Sequence, residues 1–275
     1  KVYATTSRYD SAIERHLAKT VLSEERLDLR YGNGQVLRYG ENNHQKASFY
    51  LEAPATQGGE PSLGNFTQLH GKELSYNNIL DANDAFELVK DFEEPTAAVI
   101  KHTNPSGVAS ARTIHEAYKK AYETDATSAF GSVVALNRPC NAETAKIMKS
   151  LFVEVVICQK FEKGALEILK EKKNLRLLET GPIIKDYRSL DMRRVVGGLL
   201  VQTRQTPDLS KKNLKVATKR KPTKEELNAL IFAWKVNKHV KSNSIVLAKG
   251  EMTTGIGAGQ MSRVDAVKLA VLKSE

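Results

Sequence analysis

Residues 95–179 contain four short apolar runs, and this segment constrains the fold more than any other. The runs are PTAAVI (95–100), SVVALN (132–137), VEVVIC (153–158) and LRLLE (175–179). Helical patterns separate them, with apolar residues recurring every three or four positions, as in the stripe that begins at Ile114. Strands without strict polar alternation need helices on both sides of the sheet. The sequence therefore predicts an α/β fold with a sheet that is covered on both faces.

A second α/β unit is predicted from residue 191 to residue 275. The segments RRVVGGLLVQ (193–202) and SIVLAK (244–249) have strand patterns. Thr223 and Glu226 form a capping box that predicts a helix start. The glycine-rich stretch TTGIGAGQMSR is expected to be a loop that leads, through Ser262 as N-cap, into a closing helix.

Composition narrows the classes of function. The net charge of +10 suggests an anionic partner such as a phosphate, a polyanionic cofactor or a nucleic acid. The densest basic run, residues 211–226, contains no aromatic residue, which disfavours nucleic acid and favours a solvated connector. No apolar run approaches the roughly 18 residues of a membrane-spanning helix.

Cysteine, histidine and the amino terminus add three expectations. Two cysteines indicate a reducing compartment rather than a disulfide scaffold. The six histidines show no pair at zinc-binding spacing. The chain starts with Lys1 and a helix-like pattern instead of an initiator methionine, so we expect it to begin within a longer protein.

Lys101 and His102 directly follow the first apolar run. Neighbouring side chains point to opposite faces of a strand, so both can serve one ligand only if the chain turns there. The next segment, TNPSG (103–107), is predicted to supply that turn. A cationic neighbour disfavours protonation of an imidazole, so His102 could act as a neutral general base beside the charge of Lys101. The alternative is a surface lysine beside a capping histidine.

Other polar residues are candidates for ligand contacts. Arg38 presents a planar fork suited to phosphate, with Tyr39 beside it, although both could belong to an ordinary polar loop. Gly131 precedes a strand and permits close approach of a ligand, unless it only forms a bulge. Glu154 lies in an apolar strand, where a carboxylate is costly unless it is paired, bound to a ligand or placed on an exposed edge.

Two further candidates lie in the second unit. Asn243 stands before a predicted strand, where its amide could bind the carboxamide of a heterocycle or simply cap the preceding helix. Arg263 starts the closing helix, where it could hold an anionic or carbonyl-bearing group. The glycines before it match neither the dinucleotide fingerprint nor the phosphate-binding loop of nucleotide hydrolases.

Nine segments, in order along the chain, resemble one family. They are TSRYDSAIERHL, LRYGENNHQ, LHGKELSYNNILDANDA, IKHTNPSGVA, SAFGSVVALN, VEVVI, VVGGLLVQ, FAWKVNKHVKSNSIVLAK and GIGAGQMSRVDAVKLA. They closely resemble the transformylase domain of the AICAR formyltransferase/IMP cyclohydrolase family. The resemblance implies two cytidine-deaminase-like three-layer (α/β/α) subdomains without zinc, covering 31–190 and 191–275. Residues 1–30 would be the linking helix from an N-terminal cyclohydrolase domain.

The resemblance also implies a reaction and the residues that perform it. A formyl group would move from 10-formyltetrahydrofolate to the 5-amino group of AICAR, with Lys101 stabilising the transition state and His102 accepting the proton. Cyclohydrolase activity would lie outside these residues. The resemblance further implies a cytoplasmic homodimer with shared sites, no metal, and neither nucleic acid nor membrane as partner. Nucleotide contacts would come from Arg38, Tyr39, Gly131, Glu154, Asn243 and Arg263, and a folate contact from Val264.

Alternatives follow from the length and the charge of the chain. The family continues beyond the closing helix with further ligand contacts, so the chain could be an incompetent fragment or a nucleotide-binding module. The formyl donor could instead be formate with ATP, as in related pathways. The net charge of +10 also admits a basic RNA-binding protein, whose affinity would depend steeply on salt.

Overall fold

A computed structural model describes residues 2–23, 27, 29–52, 63–183, 189–206, 209 and 213–274. The helices are α1 (Val2–Val21), α2 (Tyr76–Lys90), α3 (Ile114–Thr124), α4 (Ala142–Ser150), α5 (Lys163–Lys170), α6 (Lys224–Asn237) and α7 (Arg263–Leu272). The strands are β1 (Tyr31–Leu37), β2 (Ala47–Glu52), β3 (Thr67–His70), β4 (Thr96–Lys101), β5 (Asn104–Ser110), β6 (Ser132–Leu136), β7 (Val153–Cys158), β8 (Arg176–Glu179), β9 (Leu190–Val195), β10 (Gly198–Thr203), β11 (Ile245–Lys249) and β12 (Met252–Gly257).

A mixed eight-stranded sheet forms the centre of the molecule, in the order β11-β12-β5-β4-β6-β7-β8-β3. Strands β6, β7 and β8 are parallel, and the other neighbours in the sheet are antiparallel. Two antiparallel hairpins, β1–β2 and β9–β10, form separate two-stranded sheets.

Helices cover both faces of the large sheet, as the apolar runs predicted. One hydrophobic core contains buried residues of α3, α4 and α5, packed on the face of β4 that carries Ala97 and Val99. The other contains α2 and α6, packed on the opposite face, which carries Ala98 and Ile100. Neighbouring residues of β4 thus enter different cores, which explains why the run is apolar without alternation. The α/β prediction is confirmed in this form.

The four apolar runs of residues 95–179 form strands β4, β6, β7 and β8, as predicted. The capping box of Thr223 and Glu226 is present at the start of α6. The first two residues of the predicted basic connector, 211 and 212, lie outside the described residues.

Two local predictions were wrong. The segment 103–107 is not the turn: Asn104 already pairs with Lys101, so the reversal takes place at His102 and Thr103, and β5 begins at Asn104. The glycine-rich stretch is not entirely a loop, because Met252–Gly257 forms β12.

Close packing against α7 explains the glycines of β12. A Cβ atom on Gly255 would lie 2.0 Å from the carbonyl oxygen of Ala270, and one on Gly257 would lie 2.0 Å from that of Ala266. Such separations are impossible for real atoms, so only glycine lets the helix backbone approach this strand. These glycines therefore serve helix–sheet packing.

Thr253 joins β12 to β5, the second and third strands of the sheet. Cα pairing between the two strands is found at Met252 and Ala109. Next to it, the fully buried Thr253 hydroxyl accepts the N–H of Val108 at 2.9 Å and lies 3.1 Å from its carbonyl oxygen. Strands β11 and β12 therefore extend the same sheet as β4–β8. The division into units at residue 190 stays a prediction, and residues 184–188 beside that boundary lie outside the described residues.

Among the residues that the structure describes, no helix has the length and apolar composition that a bilayer crossing requires. Within the same residues, no three His, Cys, Asp or Glu side chains are grouped so that they could hold a metal ion.

Candidate active site

One edge of the large sheet collects the candidate residues, and strand direction is the reason. Strand β4 runs antiparallel to β6, and β6, β7 and β8 are parallel, so β4 ends where those three strands begin. Strand β12 runs in the direction of β4, because both are antiparallel to β5, and it ends at the same edge. This edge therefore receives segments distant in sequence, among them Lys101, His102, Gly131, Glu154, Asn243 and Arg263.

The β4–β5 turn at the centre of this edge has an unusual backbone. Its two residues, His102 and Thr103, have φ angles of +53° and +61°. Positive φ at both central positions is typical of the two-residue hairpin turns that match strand twist, but glycine or asparagine usually occupies them. The turn presents the exposed His102 next to the half-buried Lys101. The turn therefore lets both side chains serve one ligand, although neighbouring side chains within a strand point to opposite faces.

Hydrogen bonds hold the turn from both sides. From α2, Asp81 accepts the N–H of Thr103 at 2.7 Å. From the segment before β11, Lys241 donates its ammonium to the Thr103 hydroxyl and its backbone N–H to the Asn104 side chain at 3.1 Å. The side chain of Asn104 also donates to the carbonyl oxygen of His102, at 3.1 Å.

Lys101 connects the turn to Gly131. Its ammonium donates to the carbonyl oxygen of Phe130 at 2.7 Å. The next residue, Gly131, has a φ of +72° and donates its N–H to the carbonyl oxygen of Phe152, two residues before Glu154. The described partner of Lys101 is thus a neutral carbonyl, so no carboxylate in this contact neutralises its charge.

Glu154 is paired, and it does not lie on an edge strand. Strand β7 lies between β6 and β8. One carboxylate oxygen accepts the side-chain N–H of Asn78 at 3.0 Å and lies 3.8 Å from the guanidinium of Arg176. These two partners, from α2 and β8, compensate the cost of placing a carboxylate near the start of an apolar strand.

Arg38 and Tyr39 form a compact pair in the loop after β1. The guanidinium lies 4.7 Å from the centre of the tyrosine ring and donates to its hydroxyl at 3.0 Å. Burial lowers the pKa of Arg176, and the charge of Arg38 lowers it further, while Glu154 raises it. The pair is therefore close enough to Arg176 to interact with it electrostatically.

The remaining predicted residues lie on the β11–β12 side. Asn243 donates its side-chain N–H to the carbonyl oxygens of Gln260 and Met261, both at 3.1 Å, and this fixes the approach to α7. Arg263 and Val264 are exposed in the first turn of that helix. Lys241, two residues before Asn243, links this side to the β4–β5 turn.

A cavity of about 190 Å³ adjoins the turn. Lys101 and His102 line it together with residues of α3, β12 and α7, and with Asp125 and Lys273, which directly follow α3 and α7. Of the described residues that line the cavity, Lys101 and His102 are the ones that the sequence predicted as site residues. The other predicted ligand contacts lie around the same edge of the sheet but outside this cavity.

The sequence did not predict four residues that support the site: Asn78, Asp81, Arg176 and Lys241. The sequence shows Asn78 and Asp81 only as two polar residues three positions apart on α2. The burial of Asn78, which is 6% exposed, indicates partners elsewhere in the fold, but it is visible only in the structure. Arg176 and Lys241 also gave no signal, because their partners come from distant segments.

Comparisons with known proteins identify the family of the chain. A sequence model of the family described as AICARFT/IMPCHase bienzyme matches residues 1–273. A protein of Acetivibrio thermocellus named bifunctional purine biosynthesis protein PurH is 50% identical over 276 residues, which cover 98% of this chain and 53% of that protein. A protein of the same name from Magnetococcus marinus is 48% identical, over 100% of this chain and 53% of its own length.

The chain thus spans about half the length of the curated relatives it matches. The match itself extends over nearly every residue of this chain, including the β4–β5 turn and both sides of the sheet edge. The chain therefore belongs to the AICARFT/IMPCHase bienzyme family.

Proposed function

We propose that the chain carries AICAR formyltransferase activity in purine biosynthesis. The substrate would be AICAR, and the formyl donor 10-formyltetrahydrofolate. Family membership supports this assignment, as do the relatives named for purine biosynthesis. The single structural observation that carries it is the left-handed turn, which presents an imidazole and an ammonium side by side at one sheet edge.

In the proposed reaction, the 5-amino group of AICAR attacks the formyl carbon. This amine is conjugated with an imidazole ring and is a poor nucleophile, so removal of its proton by His102 assists the attack, an effect of about 10²–10⁴-fold for a positioned base. The carbonyl oxygen gains negative charge, which Lys101 offsets. Collapse of the tetrahedral intermediate breaks the bond to the folate nitrogen, which takes up a proton and leaves.

The nucleotide would be held by the residues around the turn. Arg38 offers its guanidinium to the phosphate, and Tyr39 restrains that guanidinium by stacking. Gly131 leaves room for close approach of the ligand, while Glu154 would accept hydrogen bonds from it. On the other side, Asn243 and Arg263 would contact the nucleotide, and the exposed Val264 would contact the folate.

The finer description of the protein is also part of this proposal. The fold would consist of two cytidine-deaminase-like subdomains without zinc, and the enzyme would need no metal. It would act in the cytoplasm as a homodimer with shared sites, without nucleic acid or membrane partners. Cyclohydrolase activity would reside in a preceding domain of the full-length protein.

A second candidate is a nucleotide-binding module that does not transfer the formyl group. The observation that favours it is that the chain spans about half the length of its relatives. A formyl-transfer assay with the chain and with the full-length protein distinguishes the two, because a module would bind AICAR without forming product.

The decisive variant is His102→Asn. Asparagine tolerates positive φ, so it preserves the turn but removes the base. We expect turnover to fall by about 10²-fold or more while AICAR binding, measured by calorimetry, is retained. Near-normal turnover by this variant would refute the assignment of His102 as base, and absence of transfer by the full-length protein would refute the proposed function.

A further inference from the structure

The β4–β5 turn needs support that its own residues do not supply. Positive φ is uncommon for residues with a Cβ atom and is an outlier for a β-branched residue such as Thr103. Such a conformation persists only when its surroundings hold it in place. The direction of the His102 side chain depends on it, because relaxation to negative φ would return the residue to a strand-like or helical orientation.

Asp81 supplies this support from α2. Its carboxylate accepts the N–H of Thr103 at 2.7 Å. The backbone N–H of His102 also lowers the pKa of Asp81, so it acts on the same carboxylate. The N–H of Thr103 faces α2 only while the chain has the observed turn conformation, so the hydrogen bond to Asp81 favours that conformation.

The surroundings of Asp81 indicate that this contact is specific. Burial raises the pKa of Asp81, and the N–H groups of Thr103 and His102 oppose that shift. A half-buried carboxylate is unfavourable unless hydrogen bonds compensate its lost hydration. The N–H groups of the turn provide part of that compensation.

We propose that Asp81 is a positioning residue, whose carboxylate holds His102 and Thr103 in the left-handed turn and thereby orients Lys101 and His102 for formyl transfer. Its catalytic consequence rests on the proposed function. Asp81 itself need not touch a substrate. Lys241 and Asn104 complete the support from the opposite side of the turn.

The test uses two substitutions of Asp81 and a matched control. Asp81→Ala removes the acceptor, whereas Asp81→Asn retains one oxygen of similar shape without the charge. Asp84→Asn is the control, because Asp84 lies one turn further along α2 and is also a desolvated carboxylate, but its hydrogen bond comes from Asn83. For each protein, kcat and KM are measured, together with hydrogen–deuterium exchange of a peptide covering residues 100–106.

We expect Asp81→Ala to lower kcat by about 100-fold with little change in KM for the nucleotide, since misplacement of a reacting group by about 1 Å has that effect. Exchange in the turn peptide should accelerate. Asp81→Asn should recover part of the loss in kcat, and Asp84→Asn should match the wild type in both measurements.

Other results would overturn the proposal. These are a wild-type kcat for Asp81→Ala, a loss confined to KM, an equal loss in Asp84→Asn, or a loss of kcat without faster exchange. If the wild-type protein transfers no formyl group, the proposed function fails, and the exchange measurement alone then decides whether Asp81 holds the turn.

Discussion

Thr253→Val tests how the β11–β12 hairpin is joined to the rest of the sheet. The Thr253 hydroxyl bonds both backbone groups of Val108 in β5, accepting at 2.9 Å and donating at 3.1 Å. It also lies 3.2 Å from the hydroxyl of Thr124 in α3. The side chain thus takes the place of a backbone rung between β12 and β5, in a position with no solvent exposure.

The magnitude follows from what the substitution leaves behind. Valine has nearly the shape of threonine, with a methyl group in place of the hydroxyl. The N–H and C=O of Val108 would therefore become buried and unpaired. Each such group costs about 1–3 kcal/mol, and the two together give a loss of roughly 2–6 kcal/mol in the free energy of unfolding. This is a large fraction of the roughly 5–15 kcal/mol that stabilises a typical protein.

Urea unfolding monitored by circular dichroism measures this loss, and Thr253→Ser is the matched control. Serine keeps the hydroxyl and loses one methyl group, which costs about 1 kcal/mol. We expect the valine variant to be clearly less stable than the serine variant. If the two variants are equally stable, the hydroxyl does not join the strands, and the reasoning is refuted.

Three further predictions concern packing and charge. Gly257→Ala places a Cβ atom 2.0 Å from the carbonyl oxygen of Ala266. Thermal melting should show that the free energy of unfolding falls by about 1–3 kcal/mol or more. Burial raises the pKa of Asp84, so its charge destabilises the fold at neutral pH. Asp84→Asn should therefore raise Tm at pH 7. This gain in Tm should shrink as pH falls through the raised pKa toward 3.8. Burial raises the pKa of Asp125, but the hydrogen bonds from Lys273 and Ser128 and the charge of Lys273 together outweigh it, so the pKa is lowered. Lys273→Met should therefore lower Tm at pH 7, and this difference should close as pH falls below 3.8 through the lowered pKa. Equal Tm values for the Met variant and wild type at pH 7 would contradict the last prediction, and a pH-independent gain would contradict the second.

Local sequence patterns predicted the parts of the fold that local rules determine. Strands β4, β6, β7 and β8 were recognisable because they are largely buried on both faces and contain short apolar runs without strict polar alternation. The start of α6 was recognisable because its capping box is complete within four residues. These features depend on neighbours in the chain.

The missed strands depend on distant partners. Strand β5 contains Pro105 and Gly107, which read as turn residues, but a Cβ atom on Gly107 would lie 1.9 Å from the carbonyl oxygen of Ala121 in α3. The proline falls where the pairing with β4 shifts register, a position at which proline is tolerated. Helix packing and the register shift therefore explain residues whose local preference is for a turn.

The candidate site shows the same division. Lys101 and His102 were recognisable as polar residues at the end of an apolar run, and the family resemblance supplied the roles expected of them. The contribution of Asp81 was not visible, because it requires α2 to meet the β4–β5 turn across 22 residues of sequence. The order of the strands in the sheet determines the contact between α2 and this turn.

The most direct test of the account is a crystal structure of the full-length protein with AICAR bound. The account predicts that the acceptor amine lies within hydrogen-bond distance of a ring nitrogen of His102, about 2.6–3.2 Å or through one water, with Lys101 on the side of the incoming formyl group. If AICAR binds with its amine beyond the reach of both residues, the β4–β5 turn is not the site of transfer, and the central claim is wrong.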